Sequence, residues 1–523
     1  MLTAVPGRIY GEQHGRVRQE INVKNYILGI DNGGTVIKAA LYDERGCEIA
    51  EAGRKTELIV PFPGHIERDM DILWKANCEA VREVLEKSRI GVGQIAGIAV
   101  TGHGNGLYMV DSQGNPVGNG ILSADSRADD LVSRWEKDGT AAAVLPRTCQ
   151  AIWSGQPVSI LNWMKQQDPL LLSSDKIRWI FMCKDYIRYK LTGEAFAELT
   201  DYSGTQMVNV NTLDYDSEVL DIFSLGDAAD KLPPLRKSTQ PCGAVSREAA
   251  ALTGLAAGTP VYGGLFDIDA SAIGTGITRS DLLCLVAGTW SINEFISPVP
   301  IASDALFMCS AYCMPDTWLI TEGSPTSACN LEWYVKRILQ GKQSYRLCDE
   351  AVASLAPDAS DVLFLPFLFG SNVGHHASSG FLGLKGWHHQ EHMIRAVFEG
   401  VVFSHATHVD RLKPYSPDFS CARIAGGAAR SKVWVQMFAD ILNLPIEITE
   451  TKELGALGAA IAASVGAGIY PSYEQAADAM VRVSHTFQPN PEYVEIYKKK
   501  YQRYKHAVSA LHDFWMYSNI IFT

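Results

Sequence analysis

An apolar strand, a Gly-Thr turn and a second strand occur twice in this chain, once in each half. The first copy is Tyr26-Ile-Leu-Gly-Ile30, then Asp31-Asn-Gly-Gly-Thr35, then Val36-Ile-Lys-Ala-Ala-Leu-Tyr42. The second is Leu282-Leu-Cys-Leu-Val286, then Ala287-Gly-Thr-Trp-Ser291, then Ile292-Asn-Glu-Phe-Ile296. Gly34-Thr35 and Gly288-Thr289 lie about half the chain apart, as in a duplicated domain. A repeated dipeptide gains weight only from what flanks it. Asp43-Glu-Arg-Gly46 reads as a turn before a third strand. Residues 69–87 read as a helix, with Ile72, Ala76, Ala80 and Val84 among its apolar positions, and 95–100 as a strand. In the second half, helices are expected over 391–411 and 431–443. Ile424-Ala425 runs into the glycines Gly426 and Gly427, and Ala456–Val465 is a helix of small residues. Hairpins followed by alternating helices and strands predict an α/β fold.

A length of 523 residues predicts two or three domains, and the formal charge of −12 comes without a basic surface. A nucleic-acid partner is therefore not expected. The last helix, about 491–515, interleaves Lys498, Lys499, Lys500, Arg503 and Lys505 with tyrosines, and reads as a solvated face with aromatics packed inward. Eleven scattered cysteines, an odd number with no C-x2-C pair, point away from a disulfide framework or zinc site and toward a reducing, cytoplasmic setting. No apolar run reaches the roughly 18 residues of a membrane span, so no membrane partner is expected. Residues 1–25 are polar, lack the apolar core of a signal peptide and read as an N-terminal extension. The histidines His388, His389, His392, His405 and His408 never form H-E-x-x-H and read as structural.

Several stretches could carry chemistry. A strand ending in Asp31, then glycines, then Thr35 can bring N–H groups and a hydroxyl to a phosphate. Asp31 could hold a hydrated hard cation. A plain hairpin turn is the competing reading. No Walker A sequence and no G-x-G-x-x-G is present, which argues against P-loop and Rossmann sites. Gly263-Gly-Leu-Phe-Asp267-Ile-Asp269 places a carboxylate where a strand enters a helix. Asp267 there could accept the proton of an attacking hydroxyl or merely cap the helix, and Asp269 competes by the same argument. His103, Asn105, Asp125 and Arg127 stand at strand ends, where they could bind a polyol or form turns. Trp153, Trp163, Trp333 and Trp434 read as core.

Taken in order, these features resemble the FGGY carbohydrate kinases, from about Tyr26 to the last helix. The most specific stretch is Ser379-Gly-Phe-Leu-Gly383-Leu, then seven residues, then His392-Met-Ile-Arg-Ala-Val-Phe-Glu-Gly400. A second is Gly155-Gln-Pro-Val-Ser-Ile-Leu-Asn-Trp163-Met, which departs at Ile160, where the family usually has Lys. The resemblance implies two ribonuclease-H-like, actin-like ATPase domains with ATP and sugar in the cleft between them. Residues 26–271 would be the sugar-binding domain, with the first phosphate loop and the base, and 272–523 the nucleotide-binding domain. It implies ATP contacts at Gly33, Thr35, Gly288, Thr289, Gly426, Gly427, Ala428 and Ser431. Asp267 matches the base, and His103, Asn105, Asp125, Arg127 and Asp267 match sugar contacts. It further implies Mg2+ near Asp31 and Asp267, and allows a homodimer without requiring one. His103 stands where many members have Gln, and Cys329 where many have Gly.

Within the family, Asn119-Gly-Ile-Leu-Ser-Ala-Asp125, Gly263–Asp267, Glu322-Gly-Ser-Pro-Thr-Ser327 and Leu365-Pro-Phe-Leu-Phe-Gly-Ser-Asn372 are most similar to L-xylulose kinases. That implies a ketopentose acceptor. Kinases for erythritol, glycerol or D-xylulose, and a non-catalytic sugar and nucleotide sensor, are the alternatives.

Overall fold

A computed structural model describes residues 26–371, 373 and 377–516. The expected extension at 1–25, and Asn372 of the Leu365–Asn372 segment, lie outside the described residues.

Strand Tyr26–Asn32 is apolar and buried along most of its length, as a strand covered on both faces must be. It centres a sheet ordered Glu48–Lys55, Val36–Asp43, Tyr26–Asn32, Ile95–Gly102, Pro260–Tyr262, Pro241–Ala244. Its pairings run antiparallel, antiparallel, parallel, parallel, antiparallel. A second sheet is ordered Met308–Ala311, Trp318–Ser324, Ser291–Ser297, Leu282–Ala287, Cys421–Ala425, Ile446–Thr449, Val483–Phe487. From Trp318–Ser324 onward it repeats the same series of pairings. The duplication expected from two Gly-Thr turns is thus a duplication of whole sheets.

Helix Leu454–Gly466 joins the two lobes. It packs against strands Tyr26–Asn32 and Ile95–Gly102 and against helix Asp267–Gly274. Its small residues let backbones touch. A Cβ on Gly458 would stand 2.0 Å from the Ala270 carbonyl oxygen. The core around this contact draws on both sheets, through Ile27, Leu265, Leu282 and Ile296. The expected domain division at residue 271 runs through helix Asp267–Gly274.

The expected helix at 69–87 spans Met70–Ser88, with Asp69 accepting from the N–H groups of Asp71 and Ile72. Its buried face differs at one position. Leu73, Ala76, Ala80 and Val84 are buried, whereas Ile72 is 57% exposed. The sheet beneath selects the Leu73 face. The last helix, Pro491–Ala510, places three of its cations in ion pairs with the rest of the lobe. Lys500 bonds Glu399, Lys505 bonds Asp410 and Arg503 bonds Asp361. His405 and His408 are buried partners of Ser327 and Ser324.

Candidate active site

Strand register brings the two carboxylates together. Asp31 lies opposite Lys38 in the hairpin and opposite Thr101 in the parallel pair. The short strand Leu265–Phe266 pairs with the other side of the same strand, at Thr101 and Gly102. Asp267 follows it as the first residue of helix Asp267–Gly274, whose N-cap is Phe266 with no side-chain cap bond. The capping role is therefore not taken by Asp267. Burial, followed by the charge of Asp31, raises its pKa to about 7. Burial also raises Asp31, to about 6, against the pull of Lys38 and with a further push from Glu453. Asp269 differs: it is 0% exposed and neither oxygen has a partner among the described residues. It is closed to substrate.

A buried ion network supports Asp267, and its members went unnoticed in the sequence. The N–H of Phe266 donates to Thr200 Oγ1 at 2.9 Å, and Thr200 Oγ1 donates to Glu198 at 2.7 Å. Ser238 also donates to Glu198, at 2.8 Å, and Lys184 Nζ lies 3.1 Å from it. Arg188, paired with Asp185, donates to the Gly263 carbonyl at 2.6 Å. The same network reaches the loop of His103 and Asn105, since the Asn105 N–H donates to Asp201 at 3.2 Å. The only local signal was charge inside an otherwise apolar helix, Cys183–Thr192.

The expected sugar contacts form two groups. His103 is buried, and burial together with the nearby Arg68 charge lowers its pKa to about 3. It is neutral, with Nε2 2.9 Å from the Tyr108 hydroxyl and Nδ1 without a hydrogen-bond partner among the described residues. Asn105 has a left-handed backbone, φ 58°, and its buried Oδ1 likewise has no partner among the described residues. These two polar atoms suit a hydroxylated ligand. Asp125 and Arg127 instead engage each other. Arg127 donates to both Asp125 oxygens at 2.8 Å and to Glu67 at 2.7 Å. Its guanidinium also sits 5.2 Å from the centre of the Trp163 ring. Trp163 and Glu67 were not foreseen in this role.

On the other lobe a cavity of about 410 Å³ is lined by Gly288, Thr289, Cys329, Asp349, Gly427, Ser431 and Trp434, among others. Gly426 turns the chain there at φ 89°, and a Cβ on it would stand 2.6 Å from the Ala287 carbonyl oxygen. Ser431 caps helix Lys432–Leu442 and donates to Asp349 at 2.7 Å. Cys329 Sγ lies 3.1 Å from the Thr289 carbonyl. Trp434 belongs to the core, as expected, and also walls this cavity. Ala428 is fully buried and shapes the turn without facing the cavity. Gly33 and Thr35 stand on the first lobe's loop, away from this lining.

Asp31 and Asp267 fit a divalent cation. They are two neighbouring oxygen donors: burial raises both, and the charge of Asp31 raises Asp267 further. No cluster of three or more metal-ligating side chains occurs among the described residues. A two-carboxylate set suits Mg2+, which keeps waters and binds substrate phosphates.

Two sheets with one pairing series, each presenting a Gly-Thr turn, define the two-domain actin-like ATPase fold. Xylulose kinase from Rhodospirillum rubrum superposes with a TM-score of 0.84 at 26% identity, covering 94% of this chain and 100% of that one. Glycerol kinase from Plasmodium falciparum with ADP gives 0.83 at 19% identity, covering 93% and 98%, a likeness of fold. Residues 26–274 match the N-terminal domain of the FGGY family of carbohydrate kinases, and 283–467 match its C-terminal domain. The "L-xylulose/3-keto-L-gulonate kinase" of Escherichia coli is 39% identical over 94% of this chain and 98% of its own length. The "Probable L-xylulose kinase" of Pasteurella multocida is 39% identical over 93% and 99%. The chain belongs to the FGGY family and is a carbohydrate kinase, a phosphotransferase with an alcohol group as acceptor.

Proposed function

We propose that this kinase transfers the γ-phosphoryl group of ATP to a hydroxyl of a ketopentose, with L-xylulose as the lead acceptor and Asp267 as the base. The observation that carries the base assignment is Asp267 at a helix start, poised near neutrality at about 7 beside Asp31. The names of the 39% identical relatives support the acceptor.

In this reading His103 Nδ1 and Asn105 Oδ1 hold sugar hydroxyls. The buried Asp125–Arg127–Glu67 network keeps the wall beside them in one shape. The ionised Asp267 takes the proton of the acceptor hydroxyl. The oxygen then attacks the γ-phosphorus in line, and the bond to the bridging oxygen breaks to release ADP. The first loop, with Gly33 and Thr35, and the second, with Gly288 and Thr289, position phosphates from opposite lobes. Gly426, Gly427 and Ser431 border the nucleoside, with Ala428 behind them. A bound Mg2+ beside Asp31 and Asp267 supplies charge neutralisation on the phosphates. Lobe closure around helix Leu454–Gly466 would exclude water and limit ATP hydrolysis. The free thiols of all eleven cysteines support a cytoplasmic setting.

The test is ADP release, measured by a coupled assay against ketopentoses, aldoses and alditols, with wild type and Asp267→Asn in parallel. Highest kcat/KM for L-xylulose and loss of sugar-dependent release in the variant are expected. A preference for an alditol would overturn the acceptor. Near-normal turnover by folded Asp267→Asn would overturn the base.

A further inference from the structure

Arg68 is buried to 1% exposure, in the two-residue strand Glu67–Arg68 that pairs with Gly120–Ile121. Neighbouring side chains of a strand point to opposite faces. Glu67 accordingly engages Arg127 and Asn119, while Arg68 reaches the first Gly-Thr turn. Its Nη2 donates to the Gly33 carbonyl at 3.2 Å and to the Gly34 carbonyl. Its Nε and Nη1 are buried and have no partner among the described residues. A guanidinium does not lose its proton in a protein, so a full positive charge sits behind this loop.

The consequence follows from the peptide plane. In a trans peptide the carbonyl of one residue and the N–H of the next point to opposite sides. With the Gly33 and Gly34 carbonyls held toward Arg68, the N–H groups of Gly34 and Thr35 point away from it. Neither N–H donates to a described residue, and Thr35 is pinned further by its carbonyl, which accepts from the Thr56 N–H at 3.1 Å. Two successive free N–H groups on one side of a turn form an anion-binding nest. Buried positive charge on the far side strengthens it.

We propose that Arg68 is the positioning residue of the first phosphate loop, holding two carbonyls back so that the Gly34 and Thr35 N–H groups face a phosphoryl oxygen of ATP. The proposal rests on the reading of this loop as a phosphate site. Arg68 itself touches the loop and not the substrate. Its proximity to His103, whose protonation it opposes, also places one cation between the phosphate loop and the acceptor loop.

The experiment compares Arg68→Met, Arg68→Lys and Thr35→Ala for ATP affinity, adenosine affinity and the KM of each substrate. Arg68→Met should weaken ATP roughly tenfold or more, the size of one lost charge-assisted hydrogen bond. Adenosine affinity, which depends on the other lobe, should stay unchanged. Arg68→Lys should recover part of the loss, because an ammonium keeps the charge without the planar fork. If Arg68→Met does not fold, Arg68→Lys decides, and wild-type ATP affinity in it overturns the proposal. Wild-type ATP affinity in a folded Arg68→Met variant also overturns it, as does parallel loss of ATP and adenosine. If Thr35→Ala weakens ATP while Arg68→Met does not, only the role of Arg68 falls. If neither weakens ATP, the phosphate-loop reading falls and takes this inference with it.

Discussion

The two Gly-Thr turns stand on the same frame and carry different chemistry. The turn at Gly34-Thr35 is headed by Asp31, whose charge acts on Asp267, and is backed by the buried Arg68. The turn at Gly288-Thr289 has no carboxylate at its head, leaves Thr289 exposed and borders the cavity walled by Trp434. Repeating a series of strand pairings repeats the position and shape of a turn. What it does depends on the groups each lobe buries beside it. The first lobe places charges in a low dielectric, where proton affinity is easily moved. The second borders an open cavity, with Asp349 bonded to Ser431 and an aromatic wall at Trp434.

The largest expected break in this comparison is at the first turn's partner. Asp267→Asn should lower kcat by roughly 10²–10⁴-fold, the usual span for a lost general base. The proposed base would work ionised, and the folded value of Asp267, about 7, lies above the ordinary 3.8. Wild-type kcat/KM should therefore fall as pH drops through about 7, and any residual activity of the variant should lack that acid limb. The same shift has a sign for stability. The folded protein holds this proton more tightly than the unfolded chain, so the contribution is full below 3.8 and is lost as pH rises through about 7. Asp267→Asn should accordingly melt higher than wild type at pH 8, with a smaller gain at pH 5, as calorimetry can check.

Next in size is the support behind Asp267. Thr200→Val removes the acceptor of the Phe266 N–H and the donor to Glu198. A drop of about tenfold in kcat is expected with little change in the KM for ATP, because a small misplacement of the base costs rate first. Thr200→Ser should restore most of it. The helix between the lobes comes third. Gly458→Ala would push a Cβ to 2.0 Å from the Ala270 carbonyl oxygen, with an expected loss of about 1–3 kcal/mol in denaturant unfolding. Smallest is the second turn's neighbour. Cys329 is half-buried and bonds one carbonyl, so Cys329→Ala should change the KM for ATP by less than about threefold, an effect no larger than a typical neutral hydrogen bond.

Local pattern made much of this architecture readable. Continuous apolar runs marked the central strands of both sheets, because a strand covered on both faces needs no alternation. Glycine and alanine marked helix Leu454–Gly466 as one that packs closely. Ile72 was misplaced because periodicity gives the spacing of a face and not which face meets the sheet. Arg68, Lys184, Glu198 and Thr200 were unreadable for another reason. Each acts through a partner distant in sequence, as Thr200 does on Phe266, 66 positions on.

Taken alone, the sequence determined the strands, the two turns, the α/β class and the family resemblance, since these rest on residue type and short-range order. Only the tertiary structure separates the surroundings of Asp267 from those of Asp269. Both sit in one helical turn with the same chemistry. Strand register leaves Asp267 at the sheet edge near Asp31 and seals Asp269 inside. Proton affinity depends on burial and neighbouring charge, and both are properties of the assembled fold.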